Sequence, residues 1–479
     1  MSNVIPARHL EFSITIDNFS TANTMLRYHH SLSYLLFTGI VNLMATPTNA
    51  ASFADRPNIV FILADDMGYG DLGCYGHPVA KTPNIDRLAK EGVRFTQHYA
   101  NGPECSPTRT AFLTGRYQQR VGGLECAIGT GNVGRYDEAI RLAGQRELGL
   151  PRNQTVIPGA LTQAGYVCGI IGKWHLGYEP KFNPMEHGWD EFFGYLGGNV
   201  HYFNHRETSN LHVLFHGRLP VSRKGYMTHL ITNDSIAFIE HHKERPFFLY
   251  VSHESPHFPF QGPDDKDKVV TEKNWTERNA KIYVAMLEDL DSEVGRLLAT
   301  IDKAGIANNT IVVFVSDNGG FDGAADMGPL RGAKSGTFEG GIRVPMMIRW
   351  PGKIRPHTVS KQVSATFDFT KSFLQLAQAK VPQDRLDGHD IIGHVVQQHD
   401  DFTRTLFWRG RRGDRTWWAV RDGEMKYVRK TEGGQTDEWL FNLADDIGEQ
   451  EDLLQAKASA ADRLKNLLVG WEAEMKASW

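Results

Sequence analysis

Cysteine is scarce in this chain: Cys74, Cys105, Cys126 and Cys168 are the only four in 479 residues. Four are too few for a disulfide-built scaffold, and the plain reading is of small buried side chains. An excess of either charge is also missing. The formal net charge is −4, so the footprint of a nucleic-acid binder is absent. An anionic small substrate would need only a local basic site, which the total charge does not exclude. No apolar run reaches the roughly 20 residues that a membrane span requires. There is no internal repeat and no low-complexity tract. What remains is ordinary globular composition, 41% hydrophobic and 23% charged, sufficient for one large domain and a smaller one.

Residues 1–54 differ from the rest. Arg27 precedes an apolar stretch from Ser31 to Ala45, and Thr46-Pro-Thr-Asn-Ala50 ends in small residues. Charged, apolar and small in that order is the pattern of a secretory signal peptide. Met25 is a better-placed start for it than Met1, and cleavage is expected near Ala50. An uncleaved anchor is the competing reading. The expected location is secreted or periplasmic, without stable membrane insertion.

Residues 56–65 form a continuous apolar run that ends in a carboxylate, and similar runs recur at 166–171, 246–252, 311–316 and 344–350. Such runs suit strands of a parallel sheet covered on both faces. Helical patterns lie between them, at 84–91, 157–165, 227–242 and 279–304. The alternation predicts an α/β fold over residues 55–390: a large mixed, mostly parallel sheet flanked by helices. Residues 391–479 read differently. Two strands around Asp422-Gly423, another near Trp439–Leu443 and a helix over 453–475 predict a smaller antiparallel sheet with one helix.

Polar clusters stand where the apolar runs end, which is where open α/β sheets place their ligand sites. Asp65-Asp66 and Asp317-Asn318 each follow a strand. Alone, the first reads as a helix cap and the second as a turn. Together, at equivalent places in one sheet, they suit a hard divalent cation such as Ca²⁺ or Mg²⁺, which takes oxygen ligands. Lys173 and His175 alternate and would share one side of an extended segment. His257 lies between Pro256 and Pro259, and Lys334 sits in a glycine-rich loop. The plain alternatives are a structural histidine and a solvated lysine.

The remaining motif is Cys105-Ser-Pro-Thr-Arg109 followed by Leu113-Thr-Gly-Arg116. It resembles the signature of the formylglycine-dependent, or type I, sulfatases of the alkaline phosphatase superfamily. Thr108 stands where that family often has Ser or Ala. The polar clusters also fall in the family's order, as does the stretch from Thr82 to Phe95, with weaker similarity running to the end of the chain. Trp439-Leu-Phe-Asn-Leu443 departs from the family's usual Glu-Leu-Tyr-Asp-Leu.

The resemblance implies that Cys105 is oxidised to formylglycine by a formylglycine-generating or anaerobic sulfatase-maturating enzyme. It implies Ca²⁺ held by Asp65, Asp66, Asp317 and Asn318. Arg109 and Lys173 would support the formylglycine and the sulfate, and His175 would contact the formylglycine hydroxyl. His257 and Lys334 would face the sulfate and its leaving oxygen. One hydroxyl of the aldehyde hydrate attacks sulfur; loss of a proton from the other then expels sulfate and restores the aldehyde. Cys105 is expected just before a helix over 108–116, whose N-terminal amides favour anions.

The segment 194–205 resembles one lining the family's substrate mouth, with Asn199, His201 and Tyr202 as candidate sugar contacts. The Gly- and Arg-rich insert 126–149 is a second candidate wall, although Arg135, Arg141 and Arg146 read equally well as surface charges. The expected substrate is a sulfated polysaccharide or oligosaccharide, algal galactans such as carrageenan first and glycosaminoglycans next. Two rivals remain: a phosphonate monoester or phosphodiester hydrolase on the same fold, and an inactive sulfated-glycan binder.

Overall fold

The computed structural model describes residues 56–211, 213–380 and 385–477. The expected leader in residues 1–54 lies outside the described residues. In chain order the strands are β1 (Asn58–Ala64), β2 (Val93–Phe95), β3 (His98–Tyr99), β4 (Val167–Lys173), β5 (Glu191–Tyr195), β6 (Leu214–His216), β7 (Leu219–Pro220), β8 (Phe247–Ser252), β9 (Thr310–Ser316), β10 (Met346–Arg349), β11 (Thr358–Ser360) and β12 (Ser364–Ala365), then β13 (Thr405–Arg412), β14 (Arg415–Asp422), β15 (Met425–Glu432) and β16 (Gln435–Asn442). Ten of them form one sheet in the order β11-β2-β10-β9-β1-β8-β4-β5-β6-β7. Its central block, β9-β1-β8-β4-β5, is parallel throughout.

The continuous apolar runs have the reason expected of them. Along β1, Ile59, Phe61 and Leu63 face one core, while Val60, Ile62 and Ala64 face the other. The helices Met227–His242 and Ala280–Lys303 cover the second of these faces. The helices Cys105–Thr114 and Asp368–Leu376 cover the first. A strand wedged between two helical layers cannot alternate apolar with polar.

One strand differs in direction from its reading. The run at 344–350 becomes β10, which is antiparallel to both neighbours. The chain leaves β9 at the sheet's carboxyl edge and makes no crossover helix. Residues 317–345 stay at that edge, so re-entry is antiparallel. The same detour carries Lys334 to the strand ends.

The C-terminal part is the expected antiparallel sheet, β13-β14-β15-β16, with the helix Ala458–Ala477 against it. A third core and a buried ionic cluster join it to the preceding residues. Lys426 Nζ reaches Glu339 Oε1 at 2.7 Å and Glu449 Oε1 at 2.9 Å, with all three side chains inaccessible. Burial, against the pull of Lys426, pushes the Glu449 carboxyl up to about 7. Lys426→Met would leave two buried carboxylates without their shared cation. The expected loss of stability is about 3–5 kcal/mol, measured by urea denaturation. A loss below about 1 kcal/mol would show that the cluster contributes little to holding the sheet in place.

Candidate functional site

Strand register sets the site. Ala64 pairs with Ser316, and Leu63 with Ser252, while Gly172 of β4 also pairs with Ser252. Four strands therefore end at one level. Asp65 and Asp66 follow β1, Asp317 and Asn318 follow β9, and Lys173 closes β4. The loop 253–257 follows β8 and ends in His257.

Cys105 arrives from the other direction. The expectation placed it before a helix starting near Thr108, but the helix begins at Cys105 itself, with Glu104 as N-cap. All ten residues of Cys105–Thr114 are buried. Thr108 both accepts from Gly102 N and donates to Gly102 O, at 3.1 Å each, which ties the preceding loop to the first turn. The second half of the motif terminates the helix. Gly115 has φ +68°, and a Cβ there would lie 2.7 Å from Leu386, so only glycine fits this left-handed stop.

The side chains converge on Cys105. Its Sγ lies 3.2 Å from Asp65 Oδ1, 4.0 Å from Asp66 Oδ1 and 3.8 Å from Lys334 Nζ. Lys334 donates to Asp66 Oδ2 at 2.7 Å and to His257 Nε2 at 3.1 Å. Lys173 donates to Asp65 Oδ2. Arg109 lies behind this layer, donating through Nε and Nη2 to Asp317 Oδ2 at 3.0 and 2.9 Å. Asp66 and His175 adopt left-handed backbone, at φ 63° and 58°. His175 is thus past the end of the extended segment, where its Nε2 pairs with the Ile128 carbonyl at 2.8 Å.

Electrostatics in this cluster are tightly matched. Asp65, Asp66 and Asp317 are fully buried against three cations, Arg109, Lys173 and Lys334. Burial, then the neighbouring Asp317, pushes the Asp65 carboxyl up to about 7. Burial, then Lys334, holds His257 neutral. Burial, then Lys173, does the same for His175. The Cys105 thiol is driven well above its ordinary range by burial and by Asp317. The protein's own charges therefore do not activate it as a thiolate nucleophile.

A hard divalent cation fits the donors present. Asp65, Asp66, Cys105 and His257 offer ligand atoms within 4.8 Å of one another. Asn318 gives its amide nitrogen to Asp66 Oδ1 at 2.7 Å, and its side-chain Oδ1 is buried with no hydrogen-bond partner among the described residues. A buried amide oxygen is costly unless something binds it, and oxygen donors are what Ca²⁺ takes.

Cys105, His175, His257 and Lys334 line a cavity of about 410 Å³. Of the three sugar-contact candidates, Asn199 lines it too, with its amide on the Phe258 carbonyl at 3.0 Å. Tyr202 does not: it is inaccessible, and its hydroxyl supports the His257 carbonyl at 2.9 Å. His201 is also outside the lining, held by Gln261 and by the turn at Phe203 and Asn204. In the insert, Arg135 lines the cavity, whereas Arg141 pairs with Glu138 and Arg146 with Glu179. Tyr178, Trp275, Phe321 and Arg412 are also among the lining residues. No local motif singled these out, because they come from segments far apart in the chain.

Comparison with known proteins gives a consistent result. Residues 57–379 match the sulfatase family profile, and residues 333–472 match the C-terminal profile of N-sulphoglucosamine sulphohydrolase. The rat N-acetylgalactosamine-6-sulfatase is 35% identical over 79% of this chain and 72% of its own. Rat steryl-sulfatase is 30% identical over 74% and 73% respectively. Among solved structures, Ps i-CgsB in complex with k-i-k-neocarrahexaose superposes with a TM-score of 0.75 at 30% identity, covering 88% of this chain and 93% of its own.

Proposed function

Because this chain belongs to the sulfatase family and is a sulfuric ester hydrolase, we propose that it removes sulfate from carbohydrate with a formylglycine made from Cys105 and a calcium ion. Cys105 carries the reading: it sits at the base of the cavity, ringed by Asp65, Asp66 and Lys334, in a setting that suppresses its thiolate. An aldehyde hydrate in its place offers a hydroxyl nucleophile and a second hydroxyl from which sulfate can be expelled.

The charge balance supports this. Three buried carboxylates already meet three cations. A divalent ion at Asp65, Asp66, Asp317 and Asn318 would add two positive charges. These match the single charge of a sulfate ester and that of an ionised hydroxyl. Calcium would supply this electrostatic stabilisation. Lys173 and Arg109 hold the carboxylates in place. Lys334 and His257 face the side from which the sugar oxygen departs. His175, neutral and fixed by Ile128, is suited to take the proton from the second hydroxyl.

For the substrate we infer a sulfated polysaccharide or oligosaccharide, galactans such as carrageenan before glycosaminoglycans. The N-acetylgalactosamine-6-sulfatase relatives and the oligosaccharide-bound Ps i-CgsB support this. These relatives are sulfatases rather than phosphonate or phosphodiester hydrolases. The leader pattern supports a secreted or periplasmic location, and among the described residues no helix is long and apolar enough to cross a membrane. The decisive experiment is a screen of defined sulfated oligosaccharides for released sulfate. Release from aryl sulfates alone, with no oligosaccharide turned over, would overturn the carbohydrate reading.

His257 provides a sharper test of mechanism. A sugar alkoxide is a poor leaving group and needs a proton, whereas nitrophenolate departs more easily. His257 is neutral and its Nε2 accepts from Lys334 at 3.1 Å, so it would act as the acid by passing on a proton taken from Lys334. His257→Ala is then expected to lower kcat on a sulfated sugar by about 10²–10⁴ and on nitrophenyl sulfate by much less. Equal losses would assign His257 to sulfate binding. Lys334, 3.1 Å away, would then be the next candidate for the acid.

A further inference from the structure

The cavity lining carries charge beyond that of the carboxylate cluster and its cations. Arg135 and Arg412 are both part of it. They are 277 positions apart in sequence, and one bond brings their backbones together: Gly413 N donates to the Arg135 carbonyl at 2.5 Å. Both guanidinium groups act electrostatically on the same neighbour, the Cys126 thiol. Arg412 spends one nitrogen on Glu104 at 2.9 Å, and its side chain remains 40% exposed. Arg135 is exposed and forms no ion pair among the described residues. The other charged lining residues are Lys334, which belongs to the reaction centre, and Arg278 and Asp322, which pair with each other at 2.9 Å. The rim therefore presents two cations with unused donors, on the insert and on the C-terminal sheet. The cavity, about 410 Å³, is in the usual range for small-molecule sites and exceeds what a lone sulfate fills.

We propose that Arg135 and Arg412 form a specificity site for a second anionic group on the same glycan, a sulfate or a carboxylate away from the ester being cleaved. The inference rests on the sulfatase reading and refines its substrate to glycans bearing more than one anion. Guanidinium forks suit both oxyanions, and a charge-assisted hydrogen bond in such a setting discriminates strongly against a substrate lacking its partner. Because the contact is present before and during reaction, its loss should raise KM more than it lowers kcat.

The test uses three oligosaccharides with the same scissile sulfate: one with no other anion, one with a second sulfate and one with a carboxylate. For each protein, kcat/KM on the two dianionic substrates is divided by that on the monoanionic one. A poorly folded variant scales all three rates alike, so the ratio reports selectivity alone. The wild type is expected to favour at least one dianionic substrate, and which one identifies the anion. Arg135→Ala, which breaks no ion pair among the described residues, should reduce that preference by about 10- to 100-fold. Arg412→Lys, which keeps a cation for Glu104 but loses the fork, should reduce it as well. A wild type with no preference, or variants that keep the full preference, would overturn the proposal. If the wild type releases sulfate from none of the three but cleaves an aryl sulfate, the carbohydrate reading itself falls.

Discussion

Cys105→Ala removes turnover. The expected loss is about 10⁶-fold in kcat, the scale found when a covalent nucleophile is deleted from an enzyme. The fold should survive, because the substitution removes one sulfur from a helix whose other nine residues remain buried and packed. In active wild-type enzyme, the peptide carrying residue 105 should be about 18 Da lighter than its thiol form, the mass change of CH₂SH becoming CHO. Cys105→Ser should be inactive as well unless the host oxidises serine. The side chain is only 1% exposed, so conversion has to precede closure of the fold, and enzyme made without a maturation partner should be folded but silent. Active enzyme carrying only thiol at residue 105 would end the formylglycine mechanism. The nucleophile would then have to be the thiol itself or another group of the site.

Much of this site was legible because its residues occupy one kind of place. Asp65-Asp66, Lys173 and Asp317-Asn318 each sit at the end of an apolar run, and a parallel sheet brings such ends to one edge. Local chemistry plus strand direction was enough to gather them. The same reasoning failed where position depends on the return path of the chain. The antiparallel entry of β10 could not be read from the apolar run 344–350, because hydrophobicity records burial and not direction. The resemblance of segment 194–205 to the family's substrate mouth makes Asn199, His201 and Tyr202 candidate sugar contacts. The structure divides them: Asn199 reaches the cavity, while Tyr202 turns inward to support the His257 loop. Likeness over a segment does not say which of its side chains turn inward; Tyr202 does so because its hydroxyl finds a partner in the His257 carbonyl. Arg412 carries no such local signal. It enters the cavity only because β13 docks beside the insert, a contact between segments with no shared local signal.

Asp317→Asn tests the remaining component, the metal. Asp317 has two roles in the structure: Oδ2 accepts both Arg109 nitrogens, and Oδ1 accepts from Asp66 N at 3.3 Å. The amide keeps the side chain's shape but removes its charge. Arg109 is then left buried, with its nearest remaining carboxylate, Asp65, at 3.7 Å. An uncompensated buried charge typically costs about 3–5 kcal/mol, so the variant should unfold at lower temperature without added metal. Its response to calcium separates that structural cost from ligand loss. The wild type should gain thermal stability as calcium is added, by about 2.7 kcal/mol at a concentration 100 times the dissociation constant, and should lose turnover on chelation. The variant should show little of that gain, because the donor set loses one of its three carboxylates. Asp317→Ala should behave the same way with a larger structural loss. If Asp317→Asn keeps the full calcium-dependent rise and full turnover, the ion is not held by Asp317. The donors would then be the tighter group of Asp65, Asp66, Cys105 and His257, and His257, as a ligand, could no longer be the proton donor to the departing sugar.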